Sequence, residues 1–357
     1  MKKNIGVIFG GKSAEHEVSV ESAKSVVKNL ALAGYAVSPV YIPQRGAWLL
    51  VPPAALAAGR LKGAELEPSF GKGCFLMGGR RLKLDAVFPV IHGSTGEDGV
   101  LQGFLELLGL PYVGSGVLAS AAGMDKALSK EIVRGRGVPL LPHVEIAGGD
   151  RARVGAGLKA ARRLGLPLFV KPAQLGSSVG ITKVKAFKDL AKAVNFAFRY
   201  DSRVLIEKGV DRAREIVCGA LGTPLEAAAS VCGEVRPKGG HEFYDYEAKY
   251  LDDNGIDFLV PAPLSAKTAG RLRELAVSVF KAMGCSGMAR VDFLMDPRSE
   301  SRFWFCEINT IPGFTSHSLY PTLWKNTGLS PVRLVDRLVR LAFERHRAKS
   351  RLKTVRL

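Results

Sequence analysis

The chain has 357 residues, 47% hydrophobic and 24% charged, a soluble globular composition too long for one core, so two or three domains are expected. No apolar run approaches the ~18 residues of a membrane helix, and MKKNIGVIFGG offers only five consecutive core-type residues, too few for a signal peptide. The five cysteines are scattered, odd in number and without CxxC spacing, which fits a reducing cytoplasm, while a formal charge of +18 leaves open an anionic partner.

In chain order, Asn4 to Phe9 predicts a buried strand, Gly10-Gly11-Lys12-Ser13-Ala14-Glu15 a tight loop, and Val18 to Leu32 a helix, the opening of an α/β sheet. Gly6 to Ser13 matches the phosphate-loop pattern GxxxxGK[ST] literally. Context argues against that reading, because Val7, Ile8 and Phe9 belong to the strand and are not free to wrap a phosphate. Glu15 falls at the strand's carboxyl end, the usual ligand edge of such a sheet, or serves as a helix-start acid facing the dipole. Leu84 to Ile91 reads as a second buried strand ending in His92-Gly93-Ser94-Thr95-Gly96-Glu97-Asp98-Gly99, with a helix from Val100 to Leu108. Here Glu97 reads as a helix-capping acid, and His92 as a structural or ligand-facing strand-end residue.

Further on, Met124-Asp125-Lys126 starts a helix, and Leu166 to Pro172 is an apolar strand that carries Lys171 at its end, where an ammonium can meet phosphate. Gln174 to Ile181, with two glycines plus Ser177 and Ser178, is a loop rich in free backbone N–H groups and suited to covering phosphates. Val204 to Val210 is a strand bearing Glu207 and Lys208, with Glu215 beyond it. Phe243-Tyr244-Asp245-Tyr246-Glu247-Ala248-Lys249-Tyr250 sits among Gly, Asp and Asn, which suggests a long functional loop.

Ser265 to Met283 reads as a helix capped by Ser265 and ended by Gly284. Met288 to Met295 then alternates, with Arg290 and Asp292 on one face, and after an Asp296-Pro297 turn Phe303 to Asn309 returns with Glu307 and Asn309 on one face. If the two strands pair, Asp292, Glu307 and Asn309 converge as three hard oxygen donors suited to Mg²⁺, with Arg290 beside them for phosphate or an oxyanion. A solvated hairpin face is the bland alternative. Beyond a helical pattern in 331–344, the basic residues Arg345, Arg347, Lys349, Arg351, Lys353 and Arg356 read as a frayed solvated tail without aromatics for base stacking.

R-V-D-F followed by E-I-N-T-x-P-G-F-T-S-H-S-L resembles the metal and acceptor site of D-alanine–D-alanine ligases of the ATP-grasp superfamily. The likeness extends in order through GG-x-S-x-E, HG-x-x-GEDG, VKP with its Gly/Ser loop, and YDYEAKY, over nearly the whole chain. It implies an α/β, three-domain ATP-grasp architecture with an N-terminal open parallel-sheet, Rossmann-like domain. The divisions expected are 1–125 for substrate binding, 126–215 for the central subdomain, and 216–357 for the C-terminal subdomain.

The resemblance also implies roles. Glu15, Ser177, Tyr250, Arg290, Gly313 and Ser318 would serve the reaction. His92, Lys249 and Leu319 would join Glu15, Tyr250, Arg290 and Ser318 around D-alanine. Lys126, Lys171, Ser177, Ser178, Glu207, Lys208, Glu215 and Lys249 would hold ATP, and Asp292, Glu307 and Asn309 would hold Mg²⁺, or Mn²⁺ in its place. One D-alanine would be activated as an acyl phosphate and attacked by the amine of a second, for peptidoglycan precursor synthesis. Tyr250 favours an amine acceptor over D-lactate, which relatives with Phe or His there commonly take. A cytoplasmic homodimer is implied, with no membrane or nucleic-acid partner. A D-alanine–D-lactate ligase and a phosphate-loop NTPase are the rival readings.

Overall fold

A computed structural model describes residues 2–176, 179–238 and 255–353. Three sheets organise the described residues. The first forms around β1 (Asn4–Gly10), buried from Ile5 onward, and α1 (His16–Leu32). It continues with β2 (Ala36–Ile42), β3 (Trp48–Leu50), the short α2 (Pro53–Ala57), β4 (Ala64–Ser69), β5 (Cys74–Met77), β6 (Arg80–Leu82) and β7 (Ala86–Pro89). Its order is β6-β5-β4-β3-β2-β1-β7. Only β2, β1 and β7 run parallel, and the rest add on by antiparallel pairing, so the sheet is mixed. Because Val7, Ile8 and Phe9 lie inside β1, as the sequence argued, the literal phosphate-loop match has no loop to form.

Helices α3 (Val100–Leu107), α4 (Val117–Met124) and α5 (Lys126–Arg134) lead to the second sheet. This comprises β8 (His143–Ala147), α6 (Arg151–Arg162), β9 (Leu168–Pro172), β10 (Thr182–Val184), α7 (Leu190–Ala197) and β11 (Arg203–Lys208), in the order β10-β9-β11-β8. Alternation sorts its two faces: Leu168, Val170, Val204 and Ile206 join the apolar cluster that also takes residues of α6 and α7, which leaves Lys171 and Glu207 for the other face.

The third sheet is β12 (Arg214–Gly222), β13 (Ala227–Pro237) and β14 (Ile256–Leu259), then α8 (Ala266–Ala282), β15 (Gly287–Met295) and β16 (Phe303–Asn309). Its order is β14-β13-β12-β15-β16, all antiparallel. The expected Ser265 cap is in place, its hydroxyl accepting from Thr268 N.

The chain closes with α9 (Leu319–Asn326) and α10 (Pro331–Ser350), which return to the first sheet. Residues 334, 335, 338, 339, 341 and 342 form the apolar stripe of α10 and pack with Val20, Ala23, Val26 and Leu30 of α1 in one core. Tyr35 Oη donates to Asp336 across that seam at 2.8 Å.

The frayed-tail expectation is overturned for Arg345 and Lys349. The helix runs on to Ser350, the Arg345 guanidinium stacks 4.1 Å from the Tyr112 ring and donates to the Tyr112 and Gly114 carbonyls, and Lys349 pairs with Glu106. A guanidinium can bury against an aromatic face while satisfying carbonyls, which a reading of charge density alone does not reveal.

Candidate active site

The hairpin pairs as its alternation predicted. Asp292 stands opposite Glu307 and Arg290 opposite Asn309, with the register shifting between Asp292 and Phe293. Directly opposed residues share a face, so two carboxylates lie side by side. Arg290 grips Asp292 through two parallel bonds of 2.8 and 2.7 Å, and Asn309 Oδ1 accepts from Ile311 N at 2.9 Å, fixing the turn into the next loop. Carboxylate oxygens from two strands and an amide oxygen two residues on are a donor set suited to a hard divalent cation.

The second and third sheets face each other across a cavity of about 780 Å³. That is within the range that takes a nucleotide-sized ligand. Phe169, Ile181, Val210 and Leu294 give it apolar walls, and Lys126, Lys171 and Lys183 line it together with Asp292 and Glu307. Lys126 Nζ donates to the Leu175 carbonyl at 2.8 Å and lies 3.4 Å from Glu307. Lys171 Nζ is 2.7 Å from Glu207, whose other oxygen is 2.9 Å from Lys130 Nζ. Burial works against a charged Glu207, but the two ammonium groups outweigh it and hold its carboxyl down to about 2. Glu207 raises the Lys171 pKa in turn, overcoming desolvation. The Glu207 side chain thus faces lysines at the cavity floor, while Lys208 turns its ammonium to the Leu166 carbonyl at 2.5 Å and Glu215 lines the cavity.

A second cluster gathers where β1 and β7 end. The His92 ring is buried, with Nδ1 3.0 Å from the Ile311 carbonyl and Nε2 3.0 Å from Ser22 Oγ, which accepts from Phe314 N. Desolvation lowers its pKa, yet the Glu97 and Glu15 carboxylates overcome this and leave it raised. Glu97 is buried 3.7 Å from His92 Nδ1, and burial first of all pushes its own carboxyl up. The expectation that Glu97 caps the helix is therefore corrected: Asp98 accepts from Thr95 N and Val100 N, leaving Glu97 to turn inward. Gly93, at φ +78°, lets the loop pass so close that a Cβ would lie 3.0 Å from Glu15 Oε2. Downstream, a Cβ on Gly313 would lie 2.7 Å from Ser318 Oγ, which accepts from Thr315 N, and Leu319 is buried at the start of α9.

The structure thus brings Lys126, Lys171, Glu207, Lys208, Glu215, Asp292 and Glu307 to one cavity. Arg290 and Asn309 adjoin it through the hairpin, His92 adjoins the Ile311–Ser318 loop that leaves β16, and Glu15 lies beside Gly93, next to His92 in the chain. Ser177, Ser178, Lys249 and Tyr250 lie outside the described residues. Sequence spacing did not single out Lys130, although it follows Lys126 by one helical turn, nor Lys183, which also lines the cavity.

Two antiparallel sheets closing on a cavity with phosphate-competent lysines and a carboxylate hairpin, behind an N-terminal mixed sheet, define an ATP-grasp enzyme. Family models agree: "D-ala D-ala ligase N-terminus" matches residues 4–115 and "D-ala D-ala ligase C-terminus" residues 132–340. The chain belongs to the D-alanine–D-alanine ligase family. It is 44% identical to a D-alanine–D-alanine ligase of Thermoanaerobacter sp. (strain X514), over 98% of this chain and 99% of the relative. It is 39% identical to D-alanine–D-alanine ligase A of Escherichia coli (strain K12), over 99% of both. Among solved structures, the D-alanine–D-alanine ligase from Coxiella burnetii superposes with a TM-score of 0.86 at 36% identity, covering 98% of this chain and 96% of that one. The VanG D-Ala:D-Ser ligase from Enterococcus faecalis does so at 0.85 and 37%, covering 96% and 100%.

Proposed function

We propose that the protein joins two D-alanine molecules into D-alanyl-D-alanine with hydrolysis of ATP to ADP and phosphate, supplying a peptidoglycan precursor. The observation that carries this reading is the Asp292–Glu307 pairing on the wall of a lysine-lined cavity, in a chain that matches ligases of this name along its whole length. The lobes 1–125, 126–215 and 216–357 supply substrate, nucleotide and metal sites respectively.

Lys126, Lys171 and the Gly/Ser loop with Ser177 and Ser178 hold the phosphates, and Glu207, Lys208 and Glu215 line the nucleoside end. Asp292, Glu307 and Asn309 hold Mg²⁺, which Mn²⁺ can replace and which, when bound, offsets phosphate charge during transfer. Arg290, released in part from Asp292, meets the transferred phosphoryl group and the later oxyanion, joined by the Gly313 N–H. Glu15 and His92 hold the first D-alanine, Ser318 and Leu319 the carboxylate of the second, and Lys249 and Tyr250 close over both. The carboxylate of the first D-alanine takes the γ-phosphoryl group, and the amine of the second displaces phosphate. A poor acylating group becomes a good one by that exchange. We place this work in the cytoplasm, in a homodimer; the five buried or half-buried free thiols support a reducing location, and light scattering measures the assembly.

Phosphate release should require D-alanine, ATP and a divalent metal together. Arg290→Ala should lower turnover by ~10²–10³ while leaving folding intact. Lys12→Ala should retain activity and Asp292→Asn lose it; the reverse pattern, or ADP formation indifferent to D-alanine, overturns the reading. Competition of D-alanine with D-lactate and D-serine as acceptor tests the ester-forming alternative and the D-serine preference named for the VanG relative.

A further inference from the structure

Lys130 is fully buried, one helical turn after Lys126 on α5, and does not line the cavity. Its ammonium is 2.9 Å from Glu207 Oε1 and donates to the carbonyls of Cys306 at 3.0 Å and Phe305 at 3.3 Å. The buried ammonium is thus engaged by two backbone carbonyls through hydrogen bonds and by one carboxylate through a close ion pair. Burying such a group is unfavourable unless each proton is matched, and the matching partners come from two different sheets. Glu207 belongs to β11 in the second sheet, and Phe305 and Cys306 belong to β16, an outer strand of the third. Glu207 in turn holds Lys171 at 2.7 Å on the cavity side, and Cys306 immediately precedes Glu307.

We propose that Lys130 is a positioning residue for nucleotide binding: it ties the Glu207–Lys171 pair of one wall to the carboxylate hairpin of the other, and so sets where the Lys171 ammonium meets the phosphates. This rests on the ligase reading above. Without Lys130 the bonds from Glu207 through this ammonium to the Phe305 and Cys306 carbonyls are lost, and Glu207 keeps Lys171 as its close counterion, which draws Lys171 away from the cavity. The effect is directional: it belongs to ATP, not to D-alanine, whose proposed site lies around Glu15 and His92.

The test is Lys130→Met, which keeps length and apolar bulk, together with Glu207→Gln and the double variant, all measured at a temperature where circular dichroism shows them folded. The expected result is a KM for ATP raised about tenfold with the KM for D-alanine unchanged within a factor of two. The double variant should bind ATP no more weakly than the worse of the two single variants, because Lys130 acts through Glu207. Where a variant is folded but turns over too slowly for a KM, calorimetric titration with Mg²⁺ and the non-hydrolysable analogue AMP-PNP reads the same loss. A Lys130→Met protein with a lowered melting temperature and an unchanged KM for ATP overturns the proposal and leaves a purely structural lysine. Equal loss toward ATP and D-alanine does the same. Should the unaltered protein release no phosphate with ATP and D-alanine, the ligase reading itself fails, a separate outcome read before any variant is compared.

Discussion

Glu207 sits between two ammonium groups, Lys130 and Lys171, with its own side chain almost wholly removed from solvent. Its folded pKa, about 2, lies below the ordinary 4.5, so the carboxylate stabilises the fold in full above pH 4.5 and loses that contribution as pH falls toward 2. Glu207→Gln removes the carboxylate that the two buried lysines share, a change worth about 3–5 kcal/mol at neutral pH. Urea unfolding at a series of pH values checks this: the difference between the two proteins should shrink between pH 4.5 and 2. A difference independent of pH across that window rules out the carboxylate as its source. The same scale explains what residue-by-residue reading missed. Asp98 and Glu97 are adjacent acids before α3, and their order alone does not say which one caps and which turns in to His92.

Secondary-structure elements were the most legible level. The Met288–Met295 and Phe303–Asn309 alternation, the Ser265 cap and the β1 register that removes the phosphate loop all depend on near neighbours in the chain, and each is found as read. The C-terminal helix was legible only up to residue 344, because its last turns are held by tertiary partners. Arg345→Met should therefore destabilise by about 1–3 kcal/mol, leaving the Tyr112 and Gly114 carbonyls short of a buried donor. The exposed neighbour Arg347→Ala should change stability by less than ~0.5 kcal/mol. Chemical denaturation of the two variants side by side decides between a docked helix end and a solvated tail.

For the whole molecule the central feature is a cavity whose two walls come from different sheets. A ligand that needs both walls binds the folded state alone, so ATP with Mg²⁺ at a hundred times its dissociation constant should add ~2.7 kcal/mol of stability. Thermal unfolding with ATP and Mg²⁺ against ATP and a chelator measures the share that needs the metal. Asp292→Asn should abolish most of that share and leave the metal-free shift in place. If both shifts survive the substitution, the cation is held elsewhere.

The chain's own order of residues settled the strands and helices that carry the motifs, which of their side chains share a pleat face, and which family pattern they follow, because those properties rest on periodicity and turn chemistry within short stretches. Only the folded arrangement decided that Glu207 faces two lysines, that Lys130 bridges two sheets, and that Arg345 is enclosed rather than solvated. Each of those joins groups separated by tens to hundreds of residues, and a charge reads the same in a sequence whether water or another side chain answers it.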